Sequence, residues 1–111
     1  MNIYFTNRKL AKVFNSQREL AQVYGPELSK KIQQRLFELN GANCLEEISH
    51  LPPARCHELT GRRAGQFAVD LKHPHRLIFV PDDPVPRKAD GSIDRSLVSS
   101  VTILEVVNYH D

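Results

Sequence analysis

The apolar residues of this chain change their period once, and that change divides the fold. From Leu10 to Leu39 they recur every three or four positions, as on one face of a helix; from Arg55 they alternate, as along a strand. Helices first and strands afterwards predict an α+β domain, with helices packed on one face of a mostly antiparallel sheet.

The elements follow from local signals. Asn2 to Thr6 carries β-prone Ile3, Tyr4 and Phe5 and reads as a first strand. Asn7 is placed to cap a helix bearing Leu10, Val13 and Phe14. Ser16-Gln17-Arg18-Glu19 has the form of a capping box, so the helix is expected to restart there with Leu20, Val23 and Tyr24 on its apolar face. Gly25-Pro26 breaks the chain again. Leu28, Ile32, Leu36 and Leu39 then form one stripe, with Lys30, Lys31, Gln33, Gln34 and Arg35 on the remaining faces and Gly41 at a C-terminal left-handed position. Cys44 to His50 is expected to add a short helical turn before Pro52-Pro53.

In the β half, Arg55, His57 and Leu59 alternate with Cys56, Glu58 and Thr60. An arginine-rich turn, Gly61 to Gly65, leads to a strand with Phe67, Val69 and Leu71 on one face, and His73-Pro74-His75 turns the chain again. Arg76 to Val80 and Val101 to Asn108 are the last strands. Between them, Pro81 to Ser100 holds three prolines, Gly91 and four aspartates, and reads as a long exposed loop. The expectation is one domain over residues 1–111: an N-terminal strand, two or three helices and a sheet of four to five strands.

With 111 residues, 41% of them apolar, the chain is long enough for one self-sufficient core and too short for two. Fifteen Lys and Arg against 13 Asp and Glu leave a formal charge of only +2, which excludes an acidic tail or a polybasic arm. The distribution is uneven: seven basic against three acidic residues in 1–38, five against two in 55–76, and three against six in 80–111. A local basic surface is therefore expected. The longest apolar runs, near Leu77–Val80 and Val101–Leu104, are far short of the roughly 18 residues of a spanning helix. No secretory signal is visible, and Cys44 and Cys56 form no CxxC pair. The cytoplasm with reduced thiols is the expectation.

Histidine and arginine carry what chemistry the residues offer. His50 is expected in a loop, and His73 and His75 at a hairpin tip, where two ligands without a third make no zinc site. His57 opens a strand–turn–strand unit and His110 ends the last strand, so the two imidazoles converge only if those strands meet. Arg55, Arg62, Arg63 and Arg76 all fall in the β half, where a guanidinium either pairs with a carboxylate or grips a phosphate. Imidazole beside guanidinium is the minimum kit for metal-free RNA cleavage: a base takes the 2′-hydroxyl proton, a cation stabilises the phosphorane, and an acid protonates the 5′-oxygen. No P-loop, GxSxG elbow, HExxH or acidic Mg²⁺ cluster occurs.

The stretch Arg55-Cys56-His57-Glu58-Leu59-Thr60-Gly61-Arg62-Arg63-Ala64-Gly65-Gln66-Phe67-Ala68-Val69, followed by Arg76-Leu77-Ile78-Phe79 and Asn108-Tyr109-His110, resembles the HigB branch of the RelE/ParE toxin superfamily. The resemblance covers residues 1–80 and 101–111. It implies the compact RelE-like fold and a ribosome-dependent endoribonuclease that cuts mRNA in the aminoacyl site, without a cofactor or metal, to inhibit translation and growth. His57 stands at the family's strand histidine, Arg76 at the arginine that contacts the scissile phosphate, and Tyr109 and His110 at the C-terminal pair that orients RNA and moves protons. Which histidine is acid and which is base stays open. Asn108 stands where the family usually has aspartate, Thr60 where it has lysine, and Arg62 where the turn has aspartate.

Arg55, Arg62 and Arg63 are the further RNA-binding candidates. Lys30, Lys31 and Arg35, with Arg8, Lys9 and Lys12, form a helical face suited to ribosomal RNA. The implied partners are the 70S ribosome, its mRNA and a HigA-like helix-turn-helix antitoxin, through which alone DNA would be met; no membrane is implied. Two alternatives remain: a ParE-like toxin that inhibits DNA gyrase by binding, and a degenerate toxin that binds its antitoxin without activity. Taken singly, the residues have plainer roles: His57 as a sheet histidine bonded to Glu58 or a carbonyl, Tyr109 as a core residue, His110 as a frayed end.

Overall fold

The computed structural model describes residues 1–109. β1 (Asn2–Phe5) leads into three helices, α1 (Arg8–Phe14), α2 (Gln17–Tyr24) and α3 (Pro26–Gly41), and then β2 (His57–Glu58), β3 (Phe67–Asp70), β4 (His75–Pro81) and β5 (Ser100–Asn108). Short 3₁₀ turns lie at Leu45–Glu47, Gly61–Arg63 and Arg95–Leu97. The sheet order is β1-β5-β4-β3-β2. β1 runs parallel to β5, and every other pair is antiparallel. The expected α+β architecture is the one found.

Capping explains the first two helices. The Asn7 side chain accepts from Leu10 N–H at 2.8 Å and Ser16 from Glu19 N–H at 3.1 Å. Glu19 does not complete the capping box; its carboxylate meets Lys12 at 3.6 Å, while Ser16 N–H goes to the Val13 carbonyl. Gly25, at φ 85°, is the joint between α2 and α3, and Pro26 opens α3 where a missing N–H costs nothing.

The end of α3 differs from the expectation for Gly41. That glycine stays inside the helix, and Ala42 closes it with φ −76°. The carbonyls that a left-handed cap would satisfy are taken by the Met1 ammonium, which donates to Leu39 at 3.2 Å, Asn40 at 3.0 Å and Ala42.

Alternation in β3 and β4 sets the two sheet faces. Phe67, Val69, Leu77 and Phe79 join Leu20, Leu28, Ile32 and Leu39 in the core between sheet and helices, with the Phe67 and Phe79 rings stacked at 5.9 Å. Ala68, Asp70, Arg76 and Ile78 take the opposite face. A bulge between Ile78 and Phe79 shifts the β4–β5 register.

The segment from Pro81 to Ser100 is not simply an exposed loop. Its tip is exposed, but Ile93 and Val98 are buried, and Arg87 bridges Ile93 across it. Val98 accepts from Leu45 N–H at 3.0 Å, so the two 3₁₀ turns pack together. Burying side chains of this size contributes about 1.5–3 kcal/mol each and offsets part of the entropy lost in ordering the segment. Among the described residues no helix is long and apolar enough to cross a membrane.

Candidate functional site

Strand pairing gathers the β-half candidates on the sheet face that the helices leave open. His57 pairs with Ala68, which pairs with Ile78, and Ile78 with Glu105. Two residues along, Asp70 pairs with Arg76 and Arg76 with Val107. Tyr109 follows β5 and is tied down by its amide, which donates to the Pro74 carbonyl at 3.0 Å. Its ring lies under the Arg76 guanidinium, 4.4 Å from the centroid. His57, Arg76 and Tyr109 thus share one face: Arg76 and Tyr109 touch at its end, and His57 stands two strands away and two residues along. His110 lies outside the described residues.

The half-buried His57 ring is oriented by a backbone contact. Nδ1 stands 2.7 Å from the Arg55 carbonyl oxygen. A carbonyl only accepts, so Nδ1 is the protonated nitrogen of the neutral ring and Nε2 is left with its lone pair. This carbonyl contact is also the plain role that the sequence allowed; it does not occupy Nε2.

The arginines divide by how their donors are used. Arg55, at φ 48°, spends its fork on Asp70: Nε to Oδ2 at 2.6 Å and Nη2 to Oδ1 at 3.2 Å. The carboxylate holds the Arg55 pKa above its ordinary value. Arg63 donates to Gln66 at 2.9 Å and Glu105 at 3.2 Å. For these two the ion-pair role is realised. Arg62 is exposed and makes no ion pair among the described residues. Arg76 meets Asp70 at 3.3 Å but donates no hydrogen bond among the described residues, and 26% of its side chain is exposed. Its charge is met by Asp70 while, among the described residues, its N–H donors take no hydrogen-bond acceptor, an arrangement that suits a guanidinium to a phosphate.

Arg35 corrects the expected basic face. It is only 2% exposed, facing the core beside Ile32 and Leu39. Its Nε donates to the Asp70 carbonyl at 2.6 Å and its Nη1 to the Glu38 carboxylate at 3.1 and 3.3 Å. An arginine so buried, with Nε and Nη1 both bonded inside the protein, presents no surface to RNA. Lys30 is exposed and Lys31 half-buried on α3, in the helical layer on the other side of the sheet. Arg8, Lys9 and Lys12 are exposed on α1.

Asp70 is the residue that sequence reasoning missed. It carries two arginines on its carboxylate and a third on its carbonyl. Alternation puts it on the face away from Phe67 and Val69, but that Arg76 shares this face and pairs with it needed the hairpin register.

The thiols take no part in this arrangement. Both cysteines are free, and burial pushes Cys56 up to about 11 from its ordinary value near 9, with Arg95 pulling weakly the other way. At neutral pH it is a protonated core residue rather than a nucleophile. The folded state holds this proton more tightly than the unfolded chain, so its contribution to stability is whole below about pH 9 and lost as pH rises through about 11. Two pH units correspond to about 3 kcal/mol. The urea midpoint is expected to fall between about pH 9 and 11, and to fall less in Cys56→Ala, which starts lower because of its cavity. Parallel pH profiles for the two proteins would contradict this.

Among the described residues no group of three or more His, Cys, Asp or Glu is placed to hold a metal ion.

No family model matches the chain, and no curated protein matches it in sequence. Solved structures do match. The YoeB–YefM complex from Staphylococcus aureus contains a chain 18% identical, aligned over 100% of this chain and 98% of that one, with a TM-score of 0.55. A YoeB/ParE toxin from Agrobacterium tumefaciens is 12% identical over 99% and 100%, with a TM-score of 0.57. The YoeB dimer from Staphylococcus aureus is 21% identical over 100% and 98%, at 0.54. At these identities the likeness is one of architecture: over its whole length this chain has the fold of the YoeB-type toxins.

Proposed function

We propose that this protein is the toxin of a type II toxin–antitoxin pair, a ribosome-dependent endoribonuclease that cuts mRNA in the aminoacyl site. The observation that carries this is Arg76: a guanidinium paired with Asp70 and stacked on Tyr109, on the same sheet face as a histidine whose Nδ1 is held by a carbonyl.

The chemistry is in-line transfer within the RNA. His57 Nε2 takes the 2′-hydroxyl proton, the 2′-oxygen attacks the adjacent phosphorus, and the 5′-oxygen leaves with a proton from a general acid, leaving a 2′,3′-cyclic phosphate. Arg76 binds the non-bridging oxygens as their charge rises, and Tyr109 holds Arg76 and offers a ring on which a base stacks. His110 is the candidate acid. DNA lacks the 2′-hydroxyl and is not a substrate. No step calls for a cofactor or metal.

The HigB branch and a HigA-like antitoxin rest on the sequence resemblance; an antitoxin of some class is supported by the fold shared with the YoeB–YefM complexes. The cytoplasm is the compartment where ribosome and antitoxin are met. Arg62, Lys30 and Lys31 are proposed as outer RNA contacts. Replacing both lysines by glutamine is expected to weaken RNA binding and flatten its salt dependence, by a slope of about one per lost phosphate contact. An unchanged slope in a salt titration would remove them from the interface.

A ParE-like gyrase inhibitor is the second reading, favoured by the likeness to the YoeB/ParE toxin. Adding the purified protein to a translation reaction and to a gyrase supercoiling reaction separates them. Arrested translation with normal supercoiling supports the nuclease; the converse supports the gyrase binder. Neither effect indicates a degenerate toxin.

A further inference from the structure

The two arginines at the open end of the sheet are not independent, because one carboxylate serves both. Asp70 accepts from Arg55 through both oxygens and meets Arg76 through Oδ1. Its backbone is pinned as firmly: its amide donates to the Ala54 carbonyl at 2.7 Å, and its carbonyl takes Arg35 Nε at 2.6 Å from the helical side. Asp70 is therefore held from below and holds what lies above.

What it holds includes the conformation of the strap before β2. Arg55 is the one non-glycine residue with positive φ among the described residues, at 48°. A side chain in that region is strained and persists only where surrounding contacts over-determine it. The Asp70 fork and the Ala54 bond supply those contacts. The same turn of the chain aims the Arg55 carbonyl at His57 Nδ1. One aspartate thus links the backbone that sets the histidine tautomer to the guanidinium that faces the phosphate.

We propose that Asp70 is a positioning residue for RNA cleavage, orienting His57 through Arg55 and aiming Arg76 through its own carboxylate. This rests on the nuclease assignment for its consequence and on geometry alone for its structural half. Asp70 also lowers the positive charge that RNA meets, so its removal has opposite effects on binding and on chemistry. A residue that merely stabilised the fold would not separate the two.

The test pairs Asp70→Ala with nitrogen-15 imidazole NMR, at a pH where His57 is neutral, and with single-turnover cleavage of ribosome-bound mRNA. The expected result is a shift of His57 from the Nδ1–H tautomer to a mixture. Cleavage at saturation falls by up to about 100-fold, the scale of a small misplacement of reacting groups, while half-saturation stays equal or moves to lower RNA concentration. An unchanged tautomer in the folded variant overturns the proposal, as does unchanged cleavage. If Asp70→Ala does not fold, Arg55→Gln removes only the Arg55 link, and an unchanged tautomer there overturns it equally. A wild-type protein that cuts no RNA defeats the nuclease assignment, whereas the tautomer measurement needs no RNA and judges the positioning role by itself.

Discussion

Alanine in place of His57 is expected to slow RNA cleavage by about 10²–10⁴-fold, the range for a positioned general base. The bond from Nδ1–H to the Arg55 carbonyl fixes which nitrogen is basic, and that nitrogen is the one removed. The expected cost in stability is small, since His57 is half-buried on a two-residue edge strand and loses one hydrogen bond, worth about 1 kcal/mol. The plain alternative reverses the ratio: a merely structural histidine would lose that 1 kcal/mol and leave cleavage intact. Rates and unfolding midpoints on the same preparation decide between them.

Arg35→Ala is expected to be the converse case, a loss of stability of about 2–4 kcal/mol. The substitution leaves the Asp70 carbonyl without its 2.6 Å donor, and it opens a cavity beside Ile32 and Leu39. Glu38 is partly exposed and regains water, which keeps the cost below that of a fully buried broken pair. Against a typical total of about 5–15 kcal/mol, this lowers the thermal midpoint by about 10–20 °C. Had Arg35 been part of a solvated RNA-binding face, alanine would change stability by less than about 0.5 kcal/mol and weaken RNA binding. Thermal unfolding without RNA tells the two apart.

Arg35 also shows where the sequence stopped being legible. Leu28, Ile32 and Leu39 mark the buried stripe of α3, and position 35 lies on it, three residues from Ile32 and four from Leu39. The residue type argued for solvent and position argued for the core. Position prevailed because a backbone carbonyl and Glu38 were there to take the fork. Ile93 and Val98 were hidden differently. They are isolated in a segment of prolines and aspartates with no repeating period, so only tertiary packing reveals them.

The order of helices and strands was readable because one period gave way to another. The neighbours of each strand were not. β1 lies parallel to β5 at the far end of the chain, and no local pattern marks such a pairing. The open-face site was half legible. His57 and Arg76 could be picked out as candidates by residue type, whereas Tyr109 was named only through the family resemblance. Asp70, which ties two of the arginines together, needed the register Asp70–Arg76, set by the turn around Pro74. Arg55 and Arg63 could be named as cations, but only the structure shows that Asp70 and Glu105 have taken their donors.

Whether the sheet face bearing His57 and Arg76 cuts RNA on the ribosome is decided by mapping mRNA 5′ ends by primer extension in a reconstituted translation reaction, with and without ribosomes. The wild-type protein is predicted to give cuts at in-frame positions only when ribosomes are present, and His57→Ala and Arg76→Ala are predicted to remove them. Intact mRNA with the wild-type protein, or equal cleavage by the wild type and both variants, would rule out an RNA-cleaving role for this face.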